Sequence, residues 1–210
     1  MKRTLLSFLS FLFPPSLREE KAKNIVLSSL PRNTKQIETP KDSFALLNYR
    51  SKEVREVVWL IKYRGDEKAA KEAGVLLAEV LAEEIAEKQQ YHSFLNPLVI
   101  PVPLSHARLR SRGFNQSARI AKAFAKELEL PYSPSVLEKT KNTKSQTELS
   151  HKERRENVKG VFSVSRPEHL KGRDIILIDD VITTGSTMEE ARTVLLERGA
   201  DRVWCVALAH

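Results

Sequence analysis

The sequence predicts an α/β chain built on a parallel sheet flanked by helices, and three observations carry that expectation. First, Ile175, Ile176, Leu177 and Ile178 form an unbroken branched apolar run, the pattern of a short strand buried on both faces. Second, strand-like runs alternate with helix-like periodicities along most of the chain, as a parallel sheet with crossover helices requires. Third, a second buried run, Leu98 to Val102, leads into its own polar loop, as the first one does. In such sheets ligands bind beyond the carboxyl ends of the strands, so these two loops should meet on one edge.

In chain order, Phe44 to Arg50 reads as a short strand. Val54, Val57, Val58 and Ile61 have helical spacing behind Ser51, a residue type that caps helices, and that helix should break near Tyr63-Arg64-Gly65-Asp66. A second helix is expected from about Glu67 to Lys88, with Ala, Leu and Val on one face and Glu on the other. Residues 104–116 read as a long basic loop. Ser117 to Leu128 should be an amphipathic helix with Ile120, Ala121, Phe124 and Leu128 inward. Two short apolar runs, Val136-Leu137 and Val161 to Val164, flank a polar basic stretch. The 175–178 strand comes next, then a helix with Met188, Ala191, Val194 and Leu195 on one face and Gly199 beyond its end, and a closing strand at Val203 to Ala209.

Composition narrows the class. The chain has 210 residues, 41% apolar and 30% charged, enough for one domain plus an appendage. Its one cysteine, Cys205, excludes an intrachain disulfide and a Cys-rich zinc site, and its apolar neighbours make it a buried strand residue. A reducing, cytoplasmic compartment is expected. The net charge of +8 is unevenly spread, and residues 101–160 hold 13 basic against 6 acidic side chains. Such a patch can serve nucleic acid or a small polyanion such as a diphosphate.

At the N-terminus, Met1, Lys2 and Arg3 precede an apolar-rich run, Thr4 to Phe13, and then Pro14-Pro15. The run has no small-x-small cleavage site after it and is too short to span a bilayer. Thr4, Ser7 and Ser10 recur every three residues, which suits a short amphipathic helix docked on the domain. Residues 1–43 therefore read as an apolar segment and linker, and 44–210 as the folded domain.

The chemistry lies immediately after the 175–178 run. Asp179 and Asp180 end the strand, and Thr183, Thr184, Ser186 and Thr187 surround Gly185 before a helix begins. Loop amides, hydroxyls and the positive end of a helix dipole suit a phosphate monoester. The two carboxylates suit the hydroxyls of a sugar carrying that phosphate. Neither G-x-x-x-x-G-K nor G-x-G-x-x-G is present at this turn, so it is not a Walker A loop or a dinucleotide fingerprint. In the basic loop, Arg108, Arg110 and Arg112 alternate ahead of Gly113. As a helix they could not share one side, but as a loop they could converge on one polyanion through forked contacts.

Residues 175–187 resemble, position by position, the binding loop for phosphoribosyl diphosphate (PRPP) of type I phosphoribosyltransferases. Together with Pro101-Val102-Pro103-Leu104, Arg112-Gly113-Phe114-Asn115-Gln116 and the segment from Lys139 to Phe162, they resemble the ComF family, phosphoribosyltransferase-like proteins associated with bacterial DNA uptake. Lys62-Tyr63-Arg64-Gly65 resembles that family's upstream segment.

The resemblance implies a type I phosphoribosyltransferase-like sheet with a flexible hood hairpin. It implies that Asp179 and Asp180 hold the ribose hydroxyls and that Thr183, Thr184, Gly185, Ser186 and Thr187 bind the 5-phosphate. Arg108, Arg110, Arg112 and Gly113 fall at its diphosphate loop, and Lys139, Lys141, Gln146, Arg154 and Asn157 in its hood. Magnesium would travel with the diphosphate, held mainly by substrate oxygens and water. His151 lies in the hood, and no obvious general base for an acceptor is apparent.

Three readings are open: a PRPP-dependent transferase with an unidentified acceptor, a non-catalytic sensor of PRPP or a nucleotide, and an accessory of DNA import that binds single-stranded DNA or a helicase. The third needs aromatics for base stacking, and between 101 and 160 only Phe114 and Tyr132 fall outside a helix's inward face. ComF proteins commonly carry paired cysteines after an apolar Leu-Phe-Pro. Here Leu12-Phe13-Pro14 has no cysteine after it, so that zinc ribbon is lost or replaced. Lysine at 139 and 141, where the family usually has arginine, keeps the charge but loses the fork. Purified protein is expected to carry no stoichiometric zinc. Metal analysis that finds one zinc per chain after dialysis overturns this.

Overall fold

A computed structural model describes residues 16–35, 37, 40–91, 94–141 and 159–210. Its centre is a parallel sheet of β1 (Ser43–Leu47), β2 (Leu98–Pro101), β5 (Asp174–Val181) and β6 (Arg202–Ala209), in the order β1-β6-β5-β2. β5 pairs with β6 from Asp174↔Arg202 to Val181↔Ala209, and with β2 from Leu98↔Ile175 to Pro101↔Ile178. A separate antiparallel pair, β3 (Leu137–Lys139) and β4 (Phe162–Val164), forms the base of the expected hood hairpin. Residues 142–158 between them lie outside the described residues.

The two faces of the sheet bury different sets of side chains, as the two-residue period of a strand demands. On one face Ile176, Ile178, Trp204, Val206 and Leu208 pack with helices α2 (Lys52–Trp59), α3 (Glu67–Gln90) and α5 (Gln116–Glu127). On the other, Ile175, Leu177, Val203, Cys205 and Ala207 pack with α6 (Ser186–Glu197) and the β3–β4 pair. Cys205 is fully buried, and burial pushes its thiol up to about 12, so it behaves as an apolar strand residue.

Most helices begin where their caps dictate. Ser51 Oγ accepts the Val54 amide at 3.4 Å, and Asp66 Oδ1 accepts the Ala69 amide at 2.9 Å. Between them the chain does not simply break. Leu60–Arg64 forms one π-helical turn, closed by Gly65 in the left-handed region at φ 61°.

Two sequence expectations are corrected. The 104–116 stretch is not an open loop: His106–Arg112 forms a short helix, α4, ended by Gly113 at φ 80°. Helical spacing puts Arg108 and Arg112 four residues apart on one face, while Arg110 points elsewhere. The 14–43 stretch is not only a linker: Leu17–Lys23 forms helix α1. Ser16 Oγ accepts the Glu19 amide at 3.3 Å, and Ser16-x-x-Glu19 is the spacing of a capping box. α1 is tied down by Glu19, which pairs with Arg64 at 2.7 Å, and by Arg18, which pairs with Glu56 and lies 4.1 Å over the Trp59 ring. Residues 4–13, expected to dock on the domain, lie outside the described residues.

The α3–α5 interface is the closest helix contact. Ala70, Ala73, Gly74 and Ala78 on α3 are small and buried. A Cβ on Gly74 would lie 2.6 Å from Ala123 Cβ and 2.9 Å from the Phe124 nitrogen. Replacing glycine by alanine inside a helix normally stabilises by about 1 kcal/mol. Here backbone overlap outweighs that gain, and Gly74→Ala is expected to cost about 1–3 kcal/mol net. Denaturant unfolding of the two proteins measures it, and an unchanged midpoint refutes the close contact.

Candidate functional site

The site forms because β5 outlasts its apolar run. After Ile178 the strand continues through Asp179, Asp180 and Val181, and both carboxylates meet the start of α5. Asp180 follows Ile176 and Ile178 toward α5, and it is only 4% exposed. Asp179 is half-buried.

Each carboxylate meets a different set of partners. The Asp179 side chain accepts from Ser117 Oγ at 2.6 Å and from the Asp180 amide at 2.9 Å. Lost hydration, and next the neighbouring Asp180 charge, push the Asp179 carboxyl above the ordinary carboxylate range. Asp180 Oδ1 accepts weakly from Gln116 Nε2 at 3.4 Å. Asp180 Oδ2 is buried without a hydrogen-bond partner and faces Lys62 Nζ at 3.7 Å. The Asp180 charge, with Asp179 behind it, pushes the Lys62 ammonium up despite burial.

Basic groups crowd the same edge. Arg112 donates to Gln116 Oε1 at 2.7 Å and lies 5.4 Å from the Tyr63 ring. Lys139 is 7% exposed, 5.4 Å from the Phe162 ring, and bridged through its backbone to Ser105. Burial, with the Arg108 charge beside it, pushes the Lys139 ammonium down to about 8, against the pull of Asp179. Arg108 and Arg110 are exposed, Arg112 is half-buried and Lys141 is exposed.

The β5–α6 loop joins the end of the strand to the next helix. Gly185 stands at the N-cap of α6 at φ 75° and has no side chain with which to cap it. Thr184 Oγ1 and Ser186 Oγ are 3.1 Å apart; Ser186 is buried, Thr184 and Thr187 are half-buried and Thr183 is exposed. A run of amides, paired hydroxyls and a helix dipole therefore opens beside Asp179 and Asp180.

Not every residue expected at the site is accounted for. The loop of β5–α6, Asp179 and Asp180, Arg112 and Lys139 come together. Arg110 lies off that face, and Gln146, Arg154, Asn157 and His151 lie outside the described residues. Three residues that the sequence reading did not assign to the site belong to it: Lys62, Gln116 and Ser117. The signal for them was available, because two adjacent acids ending a buried strand must be answered by donors or cations nearby.

An open parallel sheet with a phosphate-type loop and two carboxylates at its carboxyl edge defines a type I phosphoribosyltransferase-like fold. Residues 114–210 match the phosphoribosyl transferase domain. Competence protein F of Haemophilus influenzae is 37% identical over 138 residues, 63% of this chain and 60% of that protein. DNA utilization protein YhgH of Escherichia coli is 36% identical over 110 residues, 51% of this chain and 48% of that protein. Competence protein ComFC of Bacillus subtilis is 29% identical over 151 residues, 70% of this chain and 55% of that protein. The chain thus spans about half to three fifths of the length of these relatives. A glutamine phosphoribosylpyrophosphate amidotransferase from B. subtilis overlays at TM-score 0.43 and 22% identity, covering 67% of this chain and 26% of that one, too loose a likeness to bear on function. The matched domain and these relatives make the chain similar to ComF-family proteins, consistent with the resemblance its motifs carry. No described helix is long and apolar enough to cross a membrane.

The raised Asp179 carboxyl has a consequence for stability. A carboxyl whose native pKa lies above its unfolded value holds its proton longer when folded. Stability is therefore lost as pH rises from about 4 through the native value. Asp179→Asn keeps an acceptor for Ser117 and removes the charge. Its melting temperature should exceed that of the wild type at pH 8 and match it near pH 4. Equal offsets at both pH values would count against the shift.

Proposed function

We propose that the chain binds phosphoribosyl diphosphate at the carboxyl edge of β2 and β5 and transfers its phosphoribosyl group, in the setting of DNA uptake or use that its relatives' names indicate. The observation that carries this is the pairing of an α6 N-terminus opened by Gly185 with a buried carboxylate oxygen on Asp180 that makes no hydrogen bond. The first suits a phosphate monoester and the second a hydroxyl donor, and a 5-phosphorylated ribose carries both.

In this reading Thr183 to Thr187 hold the 5-phosphate, and Asp179 and Asp180 hold the ribose hydroxyls. Arg108 and Arg112, sharing a face of α4, meet the diphosphate together with Lys139. The bond that breaks joins C1 to the diphosphate oxygen. Its electron pair leaves with diphosphate, and an acceptor nucleophile then bonds to the oxocarbenium-like C1. The cations stabilise charge that develops on the departing group. Lys139, nearly buried and without a carboxylate at hydrogen-bond distance among the described residues, is matched to an incoming anion.

The donor set fits magnesium carried on the ligand better than one caged by protein. Asp180 already faces a cation, and no three acidic, His or Cys side chains cluster among the described residues. Bound with the diphosphate, magnesium would add neutralising charge to the leaving group. The reading as a DNA-binding accessory finds less support. Phe114 lies under Arg119 at 4.3 Å, and the Tyr132 hydroxyl donates to the Ala118 carbonyl at 3.1 Å, so both aromatics are engaged within the fold.

Asp180→Asn should weaken PRPP binding about tenfold or more, the scale of one charge-assisted hydrogen bond. Calorimetry with PRPP and magnesium tests this, and equal affinities would refute the site.

A further inference from the structure

Resting on the reading above, we propose that Lys62, which precedes the matched 114–210 domain, is a direct ligand of the sugar: its ammonium and the Asp180 carboxylate grip one ribose hydroxyl between them.

The 3.7 Å between Lys62 Nζ and Asp180 Oδ2 is a charge-pair distance, too long for a good hydrogen bond. Oδ2 is buried with its hydrogen-bonding capacity unused. An oxygen about 2.8 Å from both atoms spans that gap off the line joining them. A hydroxyl fits there chemically: it donates its one proton to Oδ2 and accepts from Nζ with a lone pair. A fully ionised phosphate oxygen does not, because it has no proton for Oδ2 and is repelled by it. The pair therefore selects a neutral hydroxyl over an anion, although one of its members is a lysine beside a phosphate site. The Lys62 side chain is 34% exposed, so it is not sealed in the core.

The turn that presents Lys62 is fixed from several sides. Leu60 and Ile61 are each 1% exposed and anchor the π-helical turn in the core. At Gly65 a Cβ would lie 2.6 Å from the Phe114 ring, so only glycine permits this approach to the residue after Gly113. Arg119 donates to the Gly65 carbonyl and pairs with Glu67 at 3.1 Å. Arg64 pairs with Glu19, and Tyr63 lies beneath Arg112. The turn is thus held against the segment that carries Gln116, the other partner of Asp180.

The test uses the full chain with PRPP, ribose 5-phosphate and inorganic diphosphate as separate titrants. Lys62→Met should lose about tenfold or more in affinity for the two sugar phosphates and change little toward diphosphate. Equal loss for diphosphate would make Lys62 an anion ligand and overturn the proposal, as would unchanged sugar-phosphate affinity. A wild type that binds neither sugar phosphate removes the underlying ligand reading as well. A second measurement needs no variant: ribose 5-phosphate should shield Lys62 from amine-reactive labelling, read by peptide mass spectrometry. Inorganic diphosphate at matched occupancy should leave it labelled, and equal shielding by both overturns the proposal.

Discussion

Two adjacent carboxylates end a strand that is otherwise buried on both faces, and the rest of the site is an answer to that constraint. A carboxylate removed from water without partners is costly. Asp179 is met by a hydroxyl and a main-chain amide, Asp180 by an amide side chain and an ammonium. These donors come from the start of α5 and from the π-helical turn, elements that would otherwise have no reason to converge. The close α3–α5 packing at Gly74 and the contact of Gly65 with Phe114 bring them within reach.

The architecture also shows why the site is larger than the matched domain. In the order β1-β6-β5-β2, both outer strands precede residue 114, so the sheet is not closed off by the matched region alone. β2 supplies the edge from which α4 springs, and α4 carries Arg108 and Arg112. Lys62 arrives from further upstream. Even α1, before the first strand, is part of this arrangement, because Glu19 braces Arg64 in the turn that carries Lys62. Chemistry that sequence motifs assign to one loop is distributed over elements separated by more than a hundred residues.

Much of this was legible in the sequence, for identifiable physical reasons. The apolar run 175–178, the helix periodicities and the caps at Ser51 and Gly199 are local signals, and local signals read well. The β5–α6 loop is local too, so its residues could be named before its geometry was known. The basic segment was read less well, because a seven-residue helix is too short to show a periodicity. There the alternating arginines suggested convergence of three where helical geometry brings two together. The cap at Ser16 was a local signal overlooked within a polar stretch. Lys62 could not be placed by any local rule. Its role depends on a π-helical turn and on a residue 118 positions later, and only a count of unanswered buried charge would have pointed to it.

The site is also a strained electrostatic balance. Asp179 is held above its ordinary range, Lys139 below its own, and Asp180 keeps a buried oxygen without a hydrogen bond. Apolar residues at such positions would often make a more stable protein. A sequence that retains all three in one place forgoes that stability, and a functional site is where such conflicts concentrate. The same imbalance explains the selectivity that the geometry suggests. A ligand is favoured to the extent that it supplies what the site can take up: a hydrogen-bond donor for Asp180 Oδ2, negative charge beside the buried Lys139, and an anion at the α6 N-terminus. A free phosphate meets only the last two needs. A sugar alone meets only the first. A phosphorylated sugar bearing a second anionic group meets all three at once, and the spacing of the three needs along one sheet edge is what can exclude the simpler ligands.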